Sequence, residues 1–84
     1  MAQVTVKLFA SLGDYLPDGA VEHATSLEVE PETTIWSVLD GLKVPRQRCH
    51  LVLLNGIFVP PGKRGDTLLS DGDTVSAWPP VAGG

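Results

Sequence analysis

The sequence predicts an α+β fold, in which a mixed sheet of four to five strands carries one main helix across one face. Apolar residues alternate along residues 3–9 and 26–30, which is the period-two pattern of strands with one buried face. A different period follows, because apolar side chains recur at helical spacing over residues 35–42. Later apolar segments return to strand-like patterns, and a length of 84 residues allows one domain.

The first two strands indicate which face they bury. Val4, Val6 and Leu8 share one side of the first strand, whereas Phe9 falls on the other side with the polar residues. The second strand, over residues 26–30, alternates in the same way. Each strand therefore places one row of apolar side chains in the predicted core.

The helix is predicted from a stripe of four apolar residues: Ile35, Val38, Leu39 and Leu42. Thr33 or Thr34 can supply the N-cap oxygen, and Pro45 is expected to stop the helix. A helix this short is stabilised by packing its stripe on the sheet, because its intrinsic propensity is too small.

The remaining strands follow a hairpin signal. Residues 51–54 form an apolar run that predicts a central, buried strand. Asn55 and Gly56 come next, and this pair is typical of a two-residue hairpin turn. Leu68 and Leu69 are expected to enter the core before the last strand, residues 74–78.

This order of elements has one compact solution. The first two strands form a hairpin, the helix crosses over, and the last strand returns parallel to the first, since a crossover must join parallel neighbours. The result is the β-grasp, or ubiquitin-like, arrangement. We expect the domain to span residues 1–78 and an extended, flexible tail to span residues 79–84.

Composition excludes several classes of function. The net charge of -4 argues against nucleic acid, whose phosphates require a basic surface. No apolar run approaches the roughly 20 residues that span a bilayer, so no membrane partner is expected. The N-terminus lacks the pattern of a signal peptide, which makes the cytoplasm the expected location.

Few side chains suggest catalysis. Cys49 and His50 could be a nucleophile and its base, but neighbours on a strand point to opposite faces, so a half-buried thiol is the preferred interpretation. One cysteine and two histidines make no familiar metal site. Lys63 and Arg64 are expected at a solvated loop tip. The chain is therefore not expected to be an enzyme by itself or to bind a cofactor.

The tail is the most unusual segment. Six residues follow Trp78, and they are Pro79, Pro80, Val81, Ala82, Gly83 and Gly84. Fully extended, they can project roughly 20 Å, and the proline pair stiffens the base of the projection. A tip without Cβ atoms can enter a channel too narrow for other residues. The alternative is a frayed terminus that happens to end in glycine.

Three aromatic residues fall on the outward side of their strands. Phe9 and Trp78 share parity with polar neighbours on the first and last strands, which are adjacent in the predicted sheet. Phe58, after the hairpin turn, is a third candidate. Exposed aromatic side chains grouped on one face suggest a docking surface for a partner. The alternative is that strand twist or a bulge turns these rings inward.

These features together resemble the MoaD/ThiS family of ubiquitin-like sulfur carriers. The resemblance rests on residues 6–10 (Val-Lys-Leu-Phe-Ala), the Asn-Gly pair at 55–56, residues 68–75 (Leu-Leu-Ser-Asp-Gly-Asp-Thr-Val) and the Pro-Pro-Val-Ala-Gly-Gly tail at 79–84. The tail is most similar to that of MoaD, the small subunit of molybdopterin synthase. The segments at 44–50 and 60–65 match no motif of the family.

The resemblance implies a function for the tail and a set of partners. Gly84 would be adenylated with ATP by a ubiquitin-activating-like (MoeB-like) enzyme and then receive sulfur from a cysteine desulfurase or a rhodanese-like donor. Gly83 would provide clearance for the tail. The thiocarboxylate would then deliver sulfur inside a MoaE-like large subunit to build the dithiolene of molybdopterin. Phe9, Phe58, Trp78 and residues 79–82 would contact these partners.

Three alternatives remain. The carrier could supply another product, such as thiamine, cysteine or a tungsten cofactor. It could be a ubiquitin-like modifier, with Gly84 joined to lysines of target proteins. It could also be a binding module that uses its aromatic face and never activates its tail.

Overall fold

The computed structural model describes residues 2–80. They form five strands, one α-helix and three short 3-10 segments. The strands are β1 (Ala2–Leu8), β2 (Ala24–Val29), β3 (Leu51–Leu54), β4 (Ile57–Phe58) and β5 (Thr74–Trp78), and the helix is α1 (Ile35–Gly41). The 3-10 segments are Ala10–Tyr15, Arg46–Arg48 and Pro61–Lys63.

The strands form one mixed sheet in the order β2-β1-β5-β3-β4. β1 is antiparallel to β2 and parallel to β5, while β3 is antiparallel to both β5 and β4. The N-terminal hairpin, the crossover through α1 and the return of β5 beside β1 make the β-grasp topology. The predicted fold class and strand pairing are therefore confirmed.

One face of the sheet and the stripe of α1 form a single core. The predicted inward rows of β1 and β5 are almost completely buried, and so is the first part of the helix stripe. Leu42, the last residue of the stripe, lies just beyond the helix and is half-buried. The core residues that carry this packing are Val4, Val6, Leu8, Ile35, Val38, Leu39, Val75 and Ala77.

Both ends of α1 have local causes. Thr34 is the N-cap, and its hydroxyl oxygen accepts a hydrogen bond from the Ser37 amide at 3.2 Å. The chain leaves the helix near Lys43, which has a left-handed φ of 65°. Pro45 was expected to stop the helix, but the helix ends before it at Gly41, the weakest helix former of its last turn.

The 60–65 loop contains the largest departure from expectation. Lys63 is exposed as predicted, but Arg64 is only 1% exposed, so its placement at a solvated loop tip is wrong. Its guanidinium donates hydrogen bonds to the carbonyl oxygens of Val59, Cys49 and His50, at 2.9, 2.8 and 3.3 Å. These three bonds compensate for the burial of the charge.

Two apolar expectations also need correction. The strand at residues 51–54 is central, but only Val52 is buried, whereas Leu51 and Leu53 lie half-exposed on the opposite face. Leu69 enters the core as predicted, but Leu68 is 57% exposed. Both segments are apolar at every position, which predicted burial of every residue. In the structure, some of these apolar residues face outward.

The hairpin between β3 and β4 gives a test of the turn chemistry. Asn55 and Gly56 both have positive φ, 52° and 84°, as a type I′ turn requires. We expect Gly56→Ala to lower the free energy of unfolding by about 1–2 kcal/mol, because a Cβ disfavours this conformation. Chemical denaturation measures the loss. Gly62→Ala is the control, since Gly62 lacks a positive φ and has free space around its Cβ position; equal effects would contradict the explanation.

Within residues 2–80, no helix is both long enough and apolar enough to cross a membrane.

Candidate functional site

The sheet face opposite the core carries a connected row of apolar side chains, which we call the open face. It is formed by Phe9, Leu51, Leu53, Phe58 and Trp78. Strand register explains the grouping: Leu51 pairs with Trp78, and Leu53 pairs with Phe58. Residues paired across neighbouring strands project to the same side of a sheet, so these side chains share one surface.

One end of the open face is a stack of rings. The Phe9 and Trp78 rings lie 4.4 Å apart with 5° between their planes. The His23 ring stacks on Phe9 at 5.6 Å and 29°. The Phe9 amide donates to the Ala77 carbonyl at 3.1 Å, which holds Phe9 beside β5 after β1 has ended. The structure thus brings together two of the three aromatic residues singled out from the sequence.

The third aromatic residue lies apart from this stack. Phe58 is 51% exposed on β4, the short edge strand. Leu53 lies beside it, and Leu51 lies beside Trp78. Neither leucine was predicted to belong to this surface, and nor was His23. Residues 51–54 are all apolar, so the sequence does not indicate which of them face outward. The stacking of His23 depends on the turn before β2.

The open face continues to the point where the tail begins. Pro79 is half-buried and Pro80 is exposed. A groove of about 470 Å³ lies beside them, lined also by Ala10, Ser11, His50, Leu51 and Trp78. The other predicted tail residues, Val81, Ala82, Gly83 and Gly84, lie outside the described residues.

Cys49 belongs to the hydrophobic core and is poorly suited to act as a nucleophile. It is 4% exposed, and its thiol lies 3.7 Å from the Pro45 carbonyl oxygen. Burial raises the pKa of the Cys49 thiol, which disfavours the reactive thiolate. His50 is exposed, and its backbone amide donates to the Trp78 carbonyl. The thiol is more deeply buried than the half-buried position expected from the sequence.

The acidic turn before β5 has a structural role. Asp71 accepts a hydrogen bond from the Gln3 amide at 2.8 Å. Asp73 accepts one from the Asn55 side chain at 2.9 Å and another from the Ser70 amide at 2.8 Å. Across residues 2–80, no group of three or more histidine, cysteine, aspartate or glutamate side chains is arranged to hold a metal ion.

Known structures share this architecture. The small archaeal modifier protein 1 of Methanosarcina acetivorans is 30% identical, with a TM-score of 0.66, and the match covers 100% of this chain and 98% of that one. A Haloferax volcanii protein solved in solution is 27% identical, with a TM-score of 0.73 and coverage of 99% and 87%. A complex of subunits 1 and 2 of the molybdopterin-converting factor from Helicobacter pylori matches at 26% identity, with a TM-score of 0.58 and coverage of 98% and 99%.

A search of curated proteins gave no match. The model of the ThiS family, in contrast, matches residues 6–84, which is nearly the whole chain and includes the tail. This match confirms the resemblance drawn from the sequence motifs. The chain belongs to the ThiS family of ubiquitin-like proteins.

Proposed function

We propose that this protein is a sulfur carrier whose Gly84 carboxylate is converted to a thiocarboxylate, and that it serves as the small subunit of a molybdopterin synthase. The observation that carries the proposal is the continuity between the open face and the start of the tail at Pro79 and Pro80. A partner that binds the stacked rings of Phe9 and Trp78 would receive the tail in a defined direction.

The chemistry explains why partners are needed. A carboxylate is a poor electrophile because it is negatively charged and has no good leaving group. Attack of the Gly84 carboxylate on ATP releases pyrophosphate and forms an acyl-adenylate. The terminal sulfur of a persulfide then displaces AMP and forms an acyl disulfide with the sulfur donor. A second thiolate attacks the donor's sulfur, forms a disulfide with it and releases the thiocarboxylate. In this proposal ATP and the catalytic side chains belong to the adenylating enzyme and the sulfur donor.

A large-subunit partner is supported by the open face and by one relative. The Helicobacter pylori structure similar to this chain is a complex of two subunits of a molybdopterin-converting factor. Apolar surface grouped on one side of a small protein is typical of an interface. We place the carrier and its partners in the cytoplasm.

A protein modifier is the second candidate. It is favoured by the 30% identity to a small archaeal modifier protein. In that role the Gly84 adenylate would be attacked by a lysine amine of a target protein, and AMP would leave as an isopeptide bond forms. Both functions require the same activated glycine, and they differ in the nucleophile. A carrier for thiamine or another sulfur-containing product remains a variant of the first candidate.

Intact mass spectrometry tests the carrier function. After incubation with ATP, an adenylating enzyme from the same genome and a persulfide donor, we expect one oxygen of Gly84 to be replaced by sulfur. A chain lacking Gly83 and Gly84 is the control and should not change in mass. Isopeptide adducts on lysines, without a thiocarboxylate, would favour the modifier function. No change with every adenylating enzyme of that genome would refute both.

A further inference from the structure

A second surface lies on the opposite edge of the sheet from β4, between β2 and α1. It is a groove of about 390 Å³, whose apolar wall is formed by Leu27, Val29, Val38 and Leu42. The first two residues belong to β2, and the last two lie in or just after α1. We call this surface the edge groove. It shares no residue with the open face.

The backbone along this groove has unused hydrogen-bonding groups. β2 pairs with β1 on one side only and forms the edge of the sheet. The Leu8 amide donates to the His23 carbonyl, and antiparallel alternation then turns the polar groups of Thr25, Leu27 and Val29 toward β1. The amides and carbonyls of Ser26 and Glu28 therefore point outward, and within residues 2–80 they have no backbone partner.

The charge beside β2 determines which kind of strand can pair with this edge. Glu28 and Glu30 also line the edge groove. Glu28 and Glu30 lie two residues apart and share the parity of the open side of the sheet, whereas Leu27 and Val29 face the helix side. A second copy of β2 placed here would bring these carboxylates together, and like charges on adjacent strands are destabilising. A strand with basic residues opposite the glutamates is complementary.

We propose that the edge groove binds an extended segment of a partner protein, which adds to β2 as a sixth strand. The bound segment alternates apolar residues with lysine or arginine. Its backbone pairs with Ser26 and Glu28, its apolar side chains enter the groove against Val38 and Leu42, and its basic side chains lie beside Glu28.

The edge groove lies apart from the start of the tail. Pro79 follows β5 at the end of the sheet where the stack of rings lies, at the level of His23. The groove residues Leu27 and Val29 lie four and six residues further along the chain, which corresponds to about 13–20 Å in an extended strand. We therefore expect binding at the edge groove to be unaffected by removal of the last two glycines.

The direct test is NMR titration of the full chain with a capped peptide, Lys-Ile-Lys-Val-Lys-Ile-Lys. We expect saturable shifts along residues 24–30 and 37–42, and slower hydrogen exchange at the Ser26 and Glu28 amides. A peptide of the same composition with its lysines in one block keeps the charge but loses the alternation, and it should not slow exchange. Shifts confined to the open face, or no binding of the alternating peptide at millimolar concentration, would overturn the proposal.

Two variants separate groove binding from simple charge attraction. Gly41 lines the groove, and a Cβ placed there meets no atom within 4 Å outside the local helix backbone and the chain neighbours. Gly41→Leu therefore adds a large side chain to the groove lining, and circular dichroism checks that the variant keeps its fold. Gly41→Leu should lose peptide binding, while Gly41→Ala should retain it. Equal binding by the two variants would overturn the proposal.

Reversal of charge provides the second comparison. Glu28→Lys should weaken the binding of the lysine peptide about threefold to tenfold and strengthen the binding of its glutamate counterpart. A chain lacking Gly83 and Gly84 should bind like the full chain, which keeps this result separate from the sulfur-carrier proposal. Shifts at residues 24–30 that depend on protein concentration without peptide would instead identify a second copy as the occupant.

Discussion

Replacement of Arg64 by methionine is expected to lower the free energy of unfolding by about 2–4 kcal/mol, because buried carbonyl groups would lose their donors. The guanidinium supplies all three bonds to Val59, Cys49 and His50, and methionine supplies none. A domain of this size has a total stability of about 5–10 kcal/mol. The loss is therefore a large part of the stability of the fold.

Burial of Arg64 requires desolvation of its charge, and this reduces the loss of stability expected for Arg64→Met. Desolvation lowers the pKa of Arg64, although an arginine side chain remains protonated in proteins. Removal of the charge recovers part of the desolvation energy. The Trp36 ring, 5.4 Å from the guanidinium, contributes a further cation–π contact that methionine lacks. We expect the lost hydrogen bonds to dominate, because two of the acceptors have buried bonds to Arg64.

Chemical denaturation of Arg64→Met and of Lys63→Met measures this prediction. Lys63 is the adjacent residue and is exposed, so its replacement should change stability by less than about 0.5 kcal/mol. Arg64→Lys is a useful third variant, since one ammonium cannot reproduce the planar arrangement of donors. If Arg64→Met were as stable as Lys63→Met, the three hydrogen bonds would not stabilise the loop.

Replacement of Trp78 by alanine is expected to weaken binding to a MoaE-like large subunit by about 2–4 kcal/mol, or roughly 30-fold to 1,000-fold in Kd. Trp78 stacks on Phe9 in the open face and lies beside the base of the tail. A few large aromatic side chains commonly dominate the binding energy of an interface. The substitution removes the ring and leaves Phe9 without its stacking partner.

Calorimetric titration with the large subunit from the same genome gives the affinity directly. Leu68→Ala is the matched control, because Leu68 is an exposed apolar residue that lies outside the open face. Circular dichroism of each variant separates loss of affinity from loss of structure. Similar affinities for Trp78→Ala and Leu68→Ala would exclude the open face as the interface.

Part of the open face could be located from the sequence. Phe9 and Trp78 each fall out of phase with the buried positions of their own strands, and predicted parallel pairing of those strands brings the two rings together. Their proximity follows from the alternation within each strand and from the rule that a crossover joins parallel neighbouring strands. The outward position of Leu51 and Leu53 could not be predicted in the same way, because a short run of apolar residues does not indicate which side is buried.

The sequence by itself determined the β-grasp topology, the helix stripe, the hairpin turn and the outward phase of two aromatic residues. These features depend on repeats and turn residues within a few positions of one another. Only the tertiary structure decided the burial of Arg64, the orientation of Leu51 and Leu53, and the groove beside β2. Each of these depends on segments distant in sequence, since a buried charge needs carbonyls that other loops supply, and a groove exists only where two packed elements leave a gap.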